Sequence, residues 1–467
     1  MDFVEFQRFI DAEWAGPAMR TLQDYIAIPV QSPAFDDDWE TNGFMDEAVG
    51  LLAGWASRQI LDIPGATIEI LSSPGVTPAI YIDIPGRLVQ TVLIYGHLDK
   101  QPPMDGWTNG RGPWSPVVEG DRLYGRGGAD DGYAIFSALI ALKAIRAQGL
   151  EHPRCMILIE ACEESGSLDL EGHLASVFQR TEDLDLIVAL DAGAADYDSL
   201  WVTTSVRGQV AGTLTVQTLT ETIHSGDGAG VVPTAFRIAC QLLARLEDPQ
   251  TGDVDPQFLT FIPELRRVQA VEAGPSIAKT LFAALPLAGS TRLVSDDAAE
   301  LVLNRSWTSQ LTVTGIDGLP TVAKAAAAIH PQVQMKLSLR LPPTLDAELA
   351  ALALKKLLEA DPPYGCSVTF DAQMISQGWE APAMGAGLTA ALNRAASDAF
   401  GGPVRYFGGG GGIPFLASLS ERFPGTPFLV TGVLGPQSNA HGPNEFLHLP
   451  TARRITAVLG RLLSDLD

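Results

Sequence analysis

Five acid- or histidine-bearing segments of this 467-residue chain each lie beside a short apolar run or at the head of a helical one. His97 and Asp99 form H-x-D directly after TVLIY, and residues two apart on an extended chain share a face. Glu163 and Glu164, in EACEESGS, follow CMILIE; Asp191 follows LDLIVAL; His441, in SNAHGPNE, follows PFLVTGV. Asp130 and Asp131 close GRGGADDG, just ahead of a helical pattern. Carboxylate oxygens and imidazole nitrogens are the donors that zinc, manganese and cobalt take in hydrolases. Carboxylates packed together repel unless cations lie between them, and no Lys or Arg cluster accompanies these. A single H-x-[DE] match carries little, since about one is expected by chance in a chain of this composition. Helix capping or surface ion pairing accounts for any one of these acids alone. It does not account for five loops meeting at one rim.

The elements that must carry these loops are legible as periodicity. Thr91–Tyr95, Cys155–Glu160, Leu184–Leu190 and Pro427–Val433 read as buried strands, and Tyr133–Gln148 and Thr451–Leu466 as helices with apolar stripes. Strands alternating with helices predict an α/β catalytic domain, a mostly parallel sheet covered by helices, with ligands at the carboxyl ends of the strands. The middle of the chain differs. Gln209–Thr218 and the stretch from Met335 to Leu341 alternate apolar and polar residues, as half-buried strands do; helices are predicted from Pro233 to Arg245 and from Thr344 to Glu359, and a further strand over Cys366–Met374. These form an α+β domain inserted into the first, giving residues 1–205 and 383–467 to the catalytic domain and 206–382 to the insert. Thr203–Gly208 and Gln377–Gly387 are the predicted hinges.

A net charge of −24 argues against nucleic-acid or anionic-membrane partners. No apolar run is long enough to span a bilayer, and the N-terminal residues lack a secretory pattern. Cys155, Cys162, Cys240 and Cys366 form no paired framework and read as buried free thiols, so a cytoplasmic protein is expected. Gly408–Gly412 lacks the Lys-Ser/Thr of a phosphate-binding loop.

The strings YGHLDKQP, LYGRGGADDG, EESGS, IHSGDGAG, KLSLRLPP, GGGIP and SNAHGPNE occur in order from Tyr95 to Glu445. Together they resemble the dizinc aminoacylase, glutamate carboxypeptidase and carnosine dipeptidase family, the carnosine dipeptidase branch above all. The resemblance implies two divalent ions, zinc ahead of manganese or cobalt. His97, Asp130 and Asp191 would hold one and Asp130, Glu164 and His441 the other, with a cis peptide between Asp130 and Asp131. It also implies Asp99 orienting His97, Glu163 as general base, and His224 stabilising the oxyanion, often across a homodimer formed by the inserted lid domain. Arg340 would bind a substrate carboxylate, Gly411 and Gly412 would let backbone approach the substrate, and Asn304 would add a lid contact. The implied activity is hydrolysis of dipeptides or short peptides with a free carboxylate. The alternatives are an N-acyl amino acid amidohydrolase and a non-catalytic metal-binding protein. Two departures bear on substrate: Gly132 stands where relatives carry lysine, and Gly409 and Gly412 stand where many carry an acid and a serine. The second departure favours a blocked amide.

Overall fold

In the computed structural model, residues 1–178 and 183–466 are described. Its centre is a six-stranded sheet in the spatial order Thr67–Ser73, Val76–Ile84, Arg154–Glu160, Thr91–His97, Leu186–Ala189, Phe428–Val430. The last four strands are mutually parallel, and the first two add an antiparallel edge. Thr91–His97 and Arg154–Glu160 are buried along nearly their whole length, as central parallel strands must be. One face is covered by the helices Phe3–Glu13, Phe44–Ile60, Ala134–Ala147 and Leu449–Leu463, and the other by Leu170–Val177 and Pro414–Arg422.

The predicted strands and helices appear with ends shifted by a few residues. The N-terminal helices, the antiparallel edge and a small sheet of Trp379–Glu380, Trp201–Val206 and Arg405–Gly409 were not anticipated. The predicted hinges are not loose linkers. Trp379 pairs with Val206 and Glu380 with Ser205, so the two crossings run side by side as a ladder.

The middle of the chain builds a four-stranded antiparallel sheet ordered Gln310–Asp317, Gln332–Leu341, Gly208–Gln217, Ser367–Ser376. Met335, Leu337, Leu339 and Leu341 face the helices Ala235–Leu246 and Ala347–Glu359, whereas Ser338 and Arg340 face away. Two further helices, Glu264–Ile277 and Ala298–Ser306, pack on the small sheet around Trp201 and Phe407. All four cysteines are free, but only Cys155 and Cys162 are buried. Cys240 is exposed because helix Ala235–Leu246 turns residues 235, 238, 239, 242 and 246 inward and leaves 240 on the other side.

Candidate metal centre

His97 ends its strand, and the neighbouring parallel strands end just before the Glu163–Ser165 turn and Asp191. Parallel strands deliver the residues after their carboxyl ends to one rim. The Asp130 loop leads into helix Ala134–Ala147, and the loop bearing His441 meets it from the far end of the chain. Donor atoms of His97, Asp130 and Asp191 lie within 4.8 Å of one another, as do those of Asp130, Glu164 and His441. Asp130 belongs to both groups. His97 Nε2 stands 3.4 Å from Asp130 Oδ1 and 3.9 Å from Asp191 Oδ2; His441 Nε2 stands 3.1 Å from Asp130 Oδ2 and 3.4 Å from Glu164 Oε2.

The Asp130–Asp131 peptide is cis. Asp131 turns its carboxylate inward to accept from the backbone N–H of His97 at 3.3 Å. That carboxylate sits 2.6 Å from where a Cβ on residue 96 would stand, which accounts for Gly96.

Electrostatics show an excess of negative charge. Burial pushes Glu163 well above the carboxylate range, with Asp191 adding to it. Burial and then Asp130 lift Glu164 to about 8, and burial lifts Asp191 to about 6. Asp130 moves the other way: burial opposes ionisation, but the imidazoles of His441 and His97 beside it hold it well below the usual range. The bond to Asp130 raises His441 to about 9. At His97, desolvation is outweighed by Asp130 and Asp99, so it too is raised. Acids that retain protons beside imidazoles that retain theirs mark a site that favours added positive charge.

The donor set fits divalent ions. His97 Nε2 is buried, has no well-formed hydrogen bond among the described residues, and points between the carboxylates of Asp130 at 3.4 Å and Asp191 at 3.9 Å. Four oxygens and two imidazole nitrogens in two groups sharing one carboxylate match what a pair of such ions requires.

Asp99 stands beside His97 and also reaches the glutamate turn. His97 Nδ1 is 3.4 Å from its carboxylate but has a closer acceptor, the Asp99 carbonyl, at 3.1 Å. The Asp99 carboxylate also accepts from the backbone N–H groups of Glu163 at 3.1 Å and Glu164 at 3.0 Å, clamping the turn that carries them. The adjacent glutamates are distinct. Glu164 accepts from Gln101 Nε2 at 2.5 Å and faces His441, whereas the Glu163 carboxylate has no hydrogen-bond donor among the described residues.

His224 is not brought to this cluster within the chain. It is exposed, and its Nδ1 accepts from Gly226 N–H at 3.1 Å, as a capping histidine does. Arg340 and Asn304 line a cleft at the edge of the antiparallel sheet, and the glycine loop lies beside it, with Gly410 against Arg305. Nothing lies within 4 Å of where a Gly411 Cβ would be, and Gly412 would meet only Arg207 O and Ser376 Oγ.

Three supporting residues escaped the sequence reading. Glu445 is fully buried; it accepts from Arg126 Nη1 at 2.6 Å and from Gly127 N–H at 3.0 Å, anchoring the Asp130 loop to the His441 loop. Lys100 is buried and donates to the carbonyls of Tyr25, Ile26 and Ile28. Gln101 holds Glu164. All three lie within the quoted motif strings, but only their partners reveal what they do. Gly132 is explained as well, since a Cβ there would lie 2.2 Å from the Tyr25 ring and 2.6 Å from Gly127 O, leaving no room for a lysine.

Comparisons agree with this geometry. A cysteinylglycine-S-conjugate dipeptidase of Corynebacterium striatum is 27% identical over 361 residues, 76% of each chain. A Beta-Ala-His dipeptidase of Mus musculus is 26% identical over 293 residues, 58% of this chain and 55% of its own. Among solved structures, a di-peptidase of Saccharomyces cerevisiae superposes with a TM-score of 0.76 at 21% identity, covering 99% of this chain and 98% of its own. Human carnosine dipeptidase 1 gives 0.73 at 19%, covering 99% of both. The family model described as peptidase family M20/M25/M40 matches residues 93–465, from the His97 strand through the last helix, and the chain belongs to that family.

Proposed function

We propose that this metallopeptidase hydrolyses dipeptides bearing a free carboxylate. Two divalent ions, zinc ahead of manganese or cobalt, are held by His97, Asp130 and Asp191 and by Asp130, Glu164 and His441. Bound there, such a pair would make a water more acidic and polarise a carbonyl as a Lewis acid. Glu163 takes the proton of that water as its oxygen adds to the carbonyl carbon. It then passes the proton to the nitrogen as the C–N bond breaks, leaving a carboxylic acid and an amine, which become carboxylate and ammonium by proton exchange. The observation that carries this reading is the contrast between neighbours: Glu164 is fixed by Gln101 and His441, while the Glu163 carboxylate is left free to accept a proton.

Arg340 is assigned the substrate carboxylate, since its guanidinium fork faces away from the helices of its domain. Asn304 and the backbone at Gly411 and Gly412 complete that side. Residues 206–382 are assigned to a lid and dimerisation domain, and His224 to the oxyanion of the partner subunit's site. A cytoplasmic location follows from the reading of the free thiols as reduced. No helix among the described residues is long and apolar enough to cross a membrane. The dipeptidase relatives cover more of the chain than does the succinyl-diaminopimelate desuccinylase of Dechloromonas aromatica, which matches 33% of it, and this favours peptides over N-acyl amino acids.

The test is a panel of dipeptides and N-acyl amino acids offered to chelated protein before and after zinc or manganese is restored. Dipeptide hydrolysis that returns with metal is expected. Turnover confined to N-acyl amino acids would move the assignment to a deacylase.

A further inference from the structure

Beside the Gly410–Gly412 loop lies an open cleft of about 580 Å³, between helix Ala298–Ser306, the outer edge of the antiparallel sheet and the segment Arg292–Val294. Four arginines line it (Arg207, Arg292, Arg305 and Arg340) and no aspartate or glutamate does. That composition is unexpected in a chain with 55 acids and 31 bases. Among the described residues none of the four has a carboxylate within ion-pair distance. Arg207 is held only by carbonyls, its Nε donating to Gly410 O at 3.1 Å and its Nη1 to Asn304 O at 3.4 Å. Arg305 Nε lies 3.1 Å from where a Gly410 Cβ would stand, so Arg207 and Arg305 flank the same glycine. Arg340 is paired in register with Gln209, two residues from Arg207.

Partly buried arginines that repel one another are costly unless an anion joins them. Burial, then Arg340 and Arg305, push Arg207 down to about 10. The loop they flank runs on to Phe415, whose ring stacks on Tyr95 at 3.7 Å, two residues before His97.

One arginine suffices for one carboxylate. We propose that the cleft takes a substrate with a second anionic group, an acidic side chain on the residue released with its free carboxylate, and that Arg305 and Arg207 select it while Arg340 holds the α-carboxylate. This rests on the dipeptidase reading and extends it to a substrate class. The wall formed by Arg292, Leu293 and Val294 covers the aliphatic part of that residue.

The test compares Ala-Glu with Ala-Gln, which differ by one charge, on metal-loaded enzyme. It also compares the binding of glutarate and its monoamide by calorimetry, where each probe keeps one carboxylate for the metals. A charge-assisted bond sets the expectation at about tenfold or more in kcat/KM for Ala-Glu, with a like preference for glutarate. Arg305→Gln should bring both ratios toward unity, and Arg305→Lys, which keeps the charge, should restore part of them. Equal turnover of Ala-Glu and Ala-Gln with equal probe binding overturns the inference and leaves the dipeptidase reading standing. Glutarate preference without hydrolysis of either dipeptide sustains the cleft assignment and sinks that reading.

Discussion

Replacing Asp99 by asparagine removes one charge and nearly no volume, and its effect can be worked from two hydrogen bonds. Oδ1 accepts from Glu163 N–H at 3.1 Å and Oδ2 from Glu164 N–H at 3.0 Å. Asparagine keeps one acceptor and turns its NH2 toward the other N–H, so one bond is lost and the remaining one loses its charge. A bond to a charged group contributes about 1.5–3 kcal/mol, which puts the loss at roughly 3 kcal/mol. It falls on the turn that aims both glutamates, so it weakens the reactive geometry more than the fold. If all of it reaches the barrier, kcat drops about 100-fold. Weaker metal retention is expected too, by about 10–100-fold, because Glu164 is aimed by the same clamp. The assay is dipeptide turnover at saturating metal, with metal affinity read by competition against a chromogenic chelator. A variant whose kcat stays within about threefold of wild type, with metal affinity intact, would refute the clamp.

Glu163→Gln should lower kcat by about 10²–10⁴-fold while retaining both metals, measured by steady-state kinetics and elemental analysis; undiminished turnover would remove Glu163 as base. Arg340→Ala should raise KM strongly for dipeptides with a free carboxylate and little for their amides, and equal effects on both would contradict its role. Chelated protein should lose stability as pH rises from about 5 to 9, as followed by thermal unfolding. Glu164 (about 8), Asp191 (about 6) and His441 (about 9) all have folded-state values above their ordinary ones, so the folded chain binds more protons than the unfolded one across this window. Asp130, held below its ordinary value, contributes stability that is already complete above pH ~4. Added zinc should flatten the curve; a melting temperature of chelated protein that climbs over the same range would contradict the charge assignment.

The clustering of these candidate donors was legible because each follows an apolar run or opens a helix, and parallel strands leave little choice about where their ends point. Arg340 was placed on the correct face by simple alternation. Elements without a clean stripe were harder to read. Thr67–Ser73 is an edge strand exposed along much of its length, and Val76–Ile84 is interrupted by Pro78. Helix Glu264–Ile277 buries Arg266 and Gln269 among its inward residues, which breaks its apolar pattern. Partners distant in sequence were not legible at all. Glu445 meets Arg126 across more than 300 residues, and nothing in either segment announces the other. Asp99 was read as a partner of His97 alone, because spacing shows that the two share a face and not that a glutamate turn will fold over both.

Tyr25 sits beneath the Asp130 loop, its ring in the space a side chain on residue 132 would need and its hydroxyl donating to Leu98 O at 2.7 Å. A longer side chain at 132 fits only if residue 25 is smaller or displaced, so the two positions constrain one another.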